Sequence, residues 1–185
     1  MNHIDLSTVL RQTVACDLYS NLVTRPTGAA VRGQIEQLLG SARDRTLTII
    51  DFSQVSMIDF SCADEVIAKL LLRYAATDPP SEAYFLFRGL NDEHWEAIEA
   101  VLDRHALALV IEEEDGVRVV GALAEEERRA WDAVRKLGRV TSADLAIVLA
   151  TTPTEAQRAL DALWRRRLIM KVEQDYIVVG ADRGG

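Results

Sequence analysis

Hydrophobic and polar positions along the chain alternate between two periods. The β-branched run Thr46-Leu47-Thr48-Ile49-Ile50, entering Asp51, predicts an interior strand of a sheet covered on both faces. After a polar stretch, Val66, Ile67, Leu70, Leu71 and Tyr74 recur at helical spacing, so a helix with one broad apolar face follows. Ser61 is its expected N-cap, with Asp64 and Glu65 in the first turn at the positive end of the dipole. Ile4–Leu10 reads as a strand. A helix started by Pro26 runs to Gly40, with Val31, Ile35, Leu38 and Leu39 inward. Residues 11–24 carry mixed signals and receive no assignment. Pro79 and Pro80 end the motif helix, Ala83–Phe87 is the next strand, and Asn91 caps a helix bearing Trp95, Ile98, Val101 and Leu102. Strands Leu107–Ile111 and Val117–Val120 flank an acidic turn, Glu112 to Gly116, and Gly121 closes this first unit.

Beyond Ala122 the pattern is helical and then hairpin-like. Glu125–Leu137 carries Trp131, Val134 and Leu137 on one side and ends at Gly138; Arg139-Val140 is a short strand. Thr141 or Ser142 caps Ala143–Ala150. Thr152-Pro153-Thr154-Glu155 is a capping box with Pro at the first helical position, opening a helix with Ala156, Ala159, Leu160, Leu163 and Trp164 inward. Leu168–Val172 and Tyr176–Val179 then flank Glu173-Gln174-Asp175. The expectation is an α/β chain of two units: residues 1–121, a sheet with packed helices, and residues 122–185, three helices with a terminal hairpin.

The segment Asp51-Phe52-Ser53-Gln54-Val55, followed by Asp59-Phe60-Ser61-Cys62 and Ala63-Asp64-Glu65, resembles the STAS family of bacterial anti-sigma factor antagonists and sulfate-transporter tails. It is more similar to the STAS-like group of unassigned function, in which Ala-Asp-Glu opens the helix, than to the antagonists. About sixteen residues carry the likeness strongly. It implies a non-enzymatic regulator whose loop and helix start, Asp59, Phe60, Ser61, Asp64 and Glu65, bind a protein partner, a kinase-like anti-sigma factor or another sigma-system component. In regulated antagonists the serine after the loop aspartate is phosphorylated. Here that position is Phe60, which accepts no phosphoryl group. Ser61, one place later, is the candidate phosphorylation site, and its bland reading is that it only caps a helix.

Residues 122 to about 180 are similar to bacterial winged-helix transcription regulators. The likeness implies a recognition helix reading DNA with Thr154, Gln157 and Arg158, supported by Arg165, Arg166 and Arg167, with Glu173 to Asp175 as the wing. Charge bears on this. The net charge of −8 is uneven: residues 1–121 hold 10 Lys+Arg against 19 Asp+Glu, and residues 122–185 hold 11 against 10. A nearly neutral unit with an acidic wing is a poor phosphate binder, so a winged helix used for protein contact or homodimerisation competes with DNA binding.

The remaining chemistry is sparse. Cys16 and Cys62 lack CxxC spacing, so neither a disulfide framework nor a zinc site is indicated, and both read as small core residues. Asp51, Asp59, Asp64 and Glu65 surround the loop, but no partner group completes a mechanism, and His3, His94 and His105 are isolated in the sequence. No enzyme, metal or cofactor is expected. The chain has neither a long uninterrupted apolar run nor a signal-peptide pattern at its start, and a cytoplasmic protein without membrane contact is expected. A regulatory protein in transcription is therefore the leading reading; an assembly module with neither DNA binding nor a phosphoswitch is the alternative.

Overall fold

The computed structural model describes residues 2–6, 8–9, 21–40 and 45–181. Strand β1, Asn2–Asp5, is shorter than the expected Ile4–Leu10, because Leu6, Thr8 and Val9 are helical. Residues 11–20, with Cys16, lie outside the described residues. The strands that follow are β2 (Asn21–Leu22), β3 (Thr46–Asp51), β4 (Met57–Ile58), β5 (Ala83–Arg88), β6 (Ala108–Glu113) and β7 (Gly116–Gly121). The order β1-β3-β5-β6-β7 makes one five-stranded sheet, parallel except for β7, which returns antiparallel beside β6. Its hairpin closes on Glu114 and Asp115 alone; Glu112 and Glu113, expected in the turn, belong to the strand. The short strands β2 and β4 form a separate parallel pair.

Helices α1 (Arg25–Gly40), α2 (residues 60–74) and α3 (Asp92–His105) cover one face of this mixed α/β sheet. Side chains on adjacent strand positions point to opposite faces. Ile50, Ala83, Phe85, Phe87, Leu109 and Ile111 thus join these helices in one core. Leu38 departs from the expected inward set of α1 and is 45% exposed. Helix α2 buries Val66, Ile67, Leu70, Leu71 and Tyr74 as its periodicity predicts, but its middle, Asp64–Lys69, is π-helical. Gly28 of α1 sits against this region so closely that an added Cβ would lie 2.9 Å from the Cα of Cys62.

The other sheet face is covered by the C-terminal part of the chain. It comprises α4 (Glu125–Leu137), α5 (Ser142–Leu149), α6 (Pro153–Arg165) and the antiparallel hairpin β8 (Ile169–Val172) and β9 (Asp175–Val178), with Val140 bridged to Tyr176. Asp175 lies in β9, so Glu173 and Gln174 alone form the turn. Ile49, Tyr84, Leu86, Ala108, Val110, Val117 and Val119 share one core with Trp131, Val134, Leu145, Leu160, Leu163 and Tyr176. Leu137, expected in that core, is 47% exposed. Gly180 lies against Leu86 and Val117, where a side chain would crowd both. No described helix is long and apolar enough to cross a membrane.

Candidate functional site

The loop between β3 and α2 is built on two aspartates. Asp51, at the end of β3, accepts from the backbone N–H and hydroxyl of Ser53 through Oδ1 (2.9 and 2.6 Å) and from two guanidinium nitrogens of Arg88 through Oδ2 (2.8 and 2.6 Å). Arg88 is the residue paired with Asp51 across β3 and β5, so the sheet register brings the two charges together. Gly89 follows with φ of +69°, and a Cβ there would strike Ser53.

Asp59 is the N-cap of α2, where Ser61 was expected. Its backbone is extended, and its Oδ1 accepts from Cys62 N–H at 2.7 Å and from the Ser61 hydroxyl at 3.0 Å. Its Oδ2 accepts from Thr24 N–H at 2.9 Å, across 35 residues. Asp59 therefore joins the start of α2 to the turn before α1, and its N–H donates to the Leu22 carbonyl. Burial by itself would raise the Asp59 carboxyl, but the donors from Thr24, Cys62 and Ser61 outweigh it and hold the group below its ordinary range. Ser61 stands inside the first turn, with its hydroxyl turned to that carboxylate. Phe60 is half-buried beneath the Arg104 guanidinium, 5.5 Å from the ring centre, a cation–π geometry. Met57, three residues before Phe60, is 44% exposed.

Asp64 and Glu65 belong to the interior. They are 6% and 3% exposed, and each is held by basic side chains from more than one element. Arg25 Nη1 reaches both, at 2.8 and 2.9 Å; His105 Nε2 lies 2.7 Å from Asp64; Arg32 and Lys69 close on Glu65. Burial would raise both carboxyls. The Arg25 and His105 partners of Asp64, and the Lys69, Arg25 and Arg32 partners of Glu65, hold them lower instead. His105, isolated in the sequence, is thus part of this ionic cluster. Only the tertiary fold brings these groups together, since Arg25 and His105 lie 39 and 41 residues from Asp64.

His94 is fully buried. The N–H of Asn91 donates to its Nδ1 at 3.1 Å, so Nε2 carries the proton and donates to the Val55 carbonyl oxygen at 2.9 Å. Burial lowers its pKa. Its ring also packs on Phe52, 5.5 Å between centroids, tying α3 to the loop after β3. The Cys62 thiol donates to the Thr24 carbonyl, and burial with the nearby Asp59 charge pushes its pKa up to about 12, so it is not a nucleophile. No group of three or more His, Cys, Asp or Glu among the described residues has the geometry to hold a metal ion.

The candidate DNA-reading residues separate into two sets. Thr154, Arg158 and Arg165 are exposed along α6. Gln157 is half-buried and donates to Asp161 and Tyr176, each at 2.9 Å. Arg166 and Arg167 turn inward. Arg166 pairs with Glu127 at 2.7 Å and donates to the carbonyls of Ala106 and Ala122; Arg167 donates to the Tyr74 carbonyl at 3.0 Å and lies over the Tyr84 and Trp164 rings. Trp164 in turn donates to the Tyr84 hydroxyl at 2.9 Å. The basic run thus ties the end of α6 to α2 and the sheet, a use the spacing of three arginines does not reveal. No protein-family model matches this chain, and no curated protein matches it at a significant level.

Proposed function

We propose that the chain is a non-enzymatic regulatory protein, with a STAS-like first part that binds a protein partner through the loop of residues 56–61. The observation that carries the reading is the pinning of that loop: Asp59 commits both carboxylate oxygens to the backbone and to Ser61, while Met57 and Phe60 remain partly exposed beside it. A loop held in this way binds without an ordering cost, which favours recognition. The buried carboxylates are charge-compensated and the thiol is inert, so the site offers contact rather than turnover. Binding by docking, not by a phosphoswitch, is the form favoured here. A phosphate on Ser61 would meet the Asp59 carboxylate 3.0 Å from the hydroxyl it replaces.

Affinity capture with the intact chain, compared with Met57→Glu and Phe60→Ala, tests this. A partner held by the wild type and lost from both variants, with unchanged thermal melts, is the expected result. An identical captured set sinks the docking reading.

A second reading, in which the C-terminal part acts as a winged helix on DNA, draws on the exposure of Thr154, Arg158 and Arg165 along α6. Against it stand the inward Arg166 and Arg167 and a two-residue turn bearing Glu173. A mobility shift that is strong at low salt and falls steeply as salt is added would favour DNA.

A further inference from the structure

The five-stranded sheet has an open edge at β7, whose one strand neighbour among the described residues is β6. The N–H of Ala122 donates to the Leu107 carbonyl at 2.8 Å, and Ala108 is set against Gly121. This fixes the phase of the ladder, so Gly116, Arg118 and Val120 turn their backbone groups to β6 while Val117, Val119 and Gly121 turn theirs outward. The Gly121 carbonyl accepts from Arg128 of α4 at 3.2 Å. The N–H and C=O groups of Val117 and Val119 have no such partner among the described residues. Two outward sets, two residues apart, present the repeat of an extended chain, about 7 Å. The usual edge guards are missing: all six positions of β7 pair in regular register, without a bulge, and none is Pro or Lys.

A groove runs along each side of this edge. On one side Val117 and Val119 border a space of about 300 Å³ with Arg128, Trp131 and Arg135 of α4. On the other, Arg118 and Val120 border about 390 Å³ with Trp95, Glu99, Leu102 and Asp103 of α3. Arg118 is held by Glu113 at 2.7 Å, but Glu99 and Asp103 are exposed and form no ion pair among the described residues. We propose that the β7 edge binds an extended segment of a protein partner, which adds a further strand beside Val117 and Val119. The outward backbone groups select a strand. The α3 groove selects its side chains: an apolar residue against Trp95 and Val120, and a Lys or Arg two positions away, on the same face, against Glu99 and Asp103. A second copy of β7 fits worse. The antiparallel register in which both copies use Val117 and Val119 sets Arg118 directly opposite Arg118 of the other copy, like charge on like. No residue of the 56–61 loop lines either groove, so binding at the edge does not require the loop.

The probe is a short capped peptide repeating Thr-Val-Thr-Lys, titrated to millimolar concentration into the full chain, with a Thr-Val-Thr-Glu counterpart as control. Amide hydrogen exchange, followed residue by residue by NMR, reads the edge. The Lys peptide should slow exchange at Val117 and Val119 about tenfold or more, and the Glu peptide should not. Glu99→Lys, at an exposed position and checked for folding by circular-dichroism melts, should weaken the protection, whereas Phe60→Ala, which tests the loop, should leave it intact. A Lys peptide that leaves both amides unprotected overturns the proposal, as does equal protection by the two peptides. Protection that rises with the concentration of the chain alone would put a second copy on the edge and overturn it as well.

Discussion

At the scale of single residues, the loop depends on where one carboxylate points. Asp59→Ala removes the acceptor for Thr24, Cys62 and Ser61 together, so chemical denaturation should show a loss of about 1–2 kcal/mol, the upper range for an N-cap. Ser61→Ala should cost less, because the hydroxyl is only one of three donors to Asp59. Titration adds a second prediction. His94 has a folded pKa below the ordinary 6.5, so the unfolded chain binds its proton first. Its contribution is complete above 6.5 and is lost as pH falls below that value. Asp59, Asp64 and Glu65 are also lowered, from ordinary values of 3.8, 3.8 and 4.5, so their contributions persist until the pH falls through that range. Thermal melts as a function of pH should therefore fall first between 6.5 and 4.5, a loss that His94→Gln abolishes, and again below 4.5.

At the scale of elements, α1 and α2 meet at a glycine. In an open helix position Gly→Ala stabilises by about 1 kcal/mol, and Gly33, with nothing within 4 Å of its would-be Cβ, should behave so. Gly28→Ala should do the opposite. Its Cβ would lie 2.9 Å from the backbone of Cys62 and 3.0 Å from the Glu65 Cβ, which forces the helices apart at a cost of about 1–3 kcal/mol. Guanidinium melts of the two variants, measured side by side, should differ in sign. The contact also explains part of the ionic cluster. Close packing of α1 on α2 brings Arg25 and Arg32 to Glu65, and the π-helical turn places Asp64 and Glu65 inward together. Helix ends were legible because caps are local: Thr141, Thr152 and Pro153 stand where their chemistry predicts. The start of α2 was not, because the choice between Asp59 and Ser61 depends on Thr24, far away in sequence.

At the scale of the whole molecule, the five-stranded sheet is closed from both sides. A chain ending at Gly121 would expose Ile49, Tyr84, Leu86, Val110 and Val119, which the C-terminal part now covers. Such a fragment should bind an apolar dye strongly and aggregate, whereas the full chain should do neither. The double variant Arg166→Ala, Arg167→Ala removes the links to Ala106, Ala122, Glu127 and Tyr74. It should lower the melting temperature and raise hydrogen exchange in β5 and β6, and unchanged exchange there would separate these arginines from the packing of the two parts.

Much of the architecture was present in the one-dimensional pattern. The run at β3 announced a strand buried on both faces, those at β5 and β6 announced strands, and amphipathic periods announced α1, α3, α4 and α6, because burial and helix capping act over a few residues. The pattern did not say what buried the second face of the sheet. That was decided by tertiary packing, which joins positions 49 and 84 to 131 and 163. Asp64 and Glu65 read as surface charges at a helix start until Arg25, Arg32 and His105 came to them from other elements. Arg166 and Arg167 likewise read as candidate DNA contacts until the carbonyls of Tyr74 and Ala122 appeared beside them. Local hydrophobic periodicity selects the elements; long-range electrostatics and packing decide which side chains remain free to act.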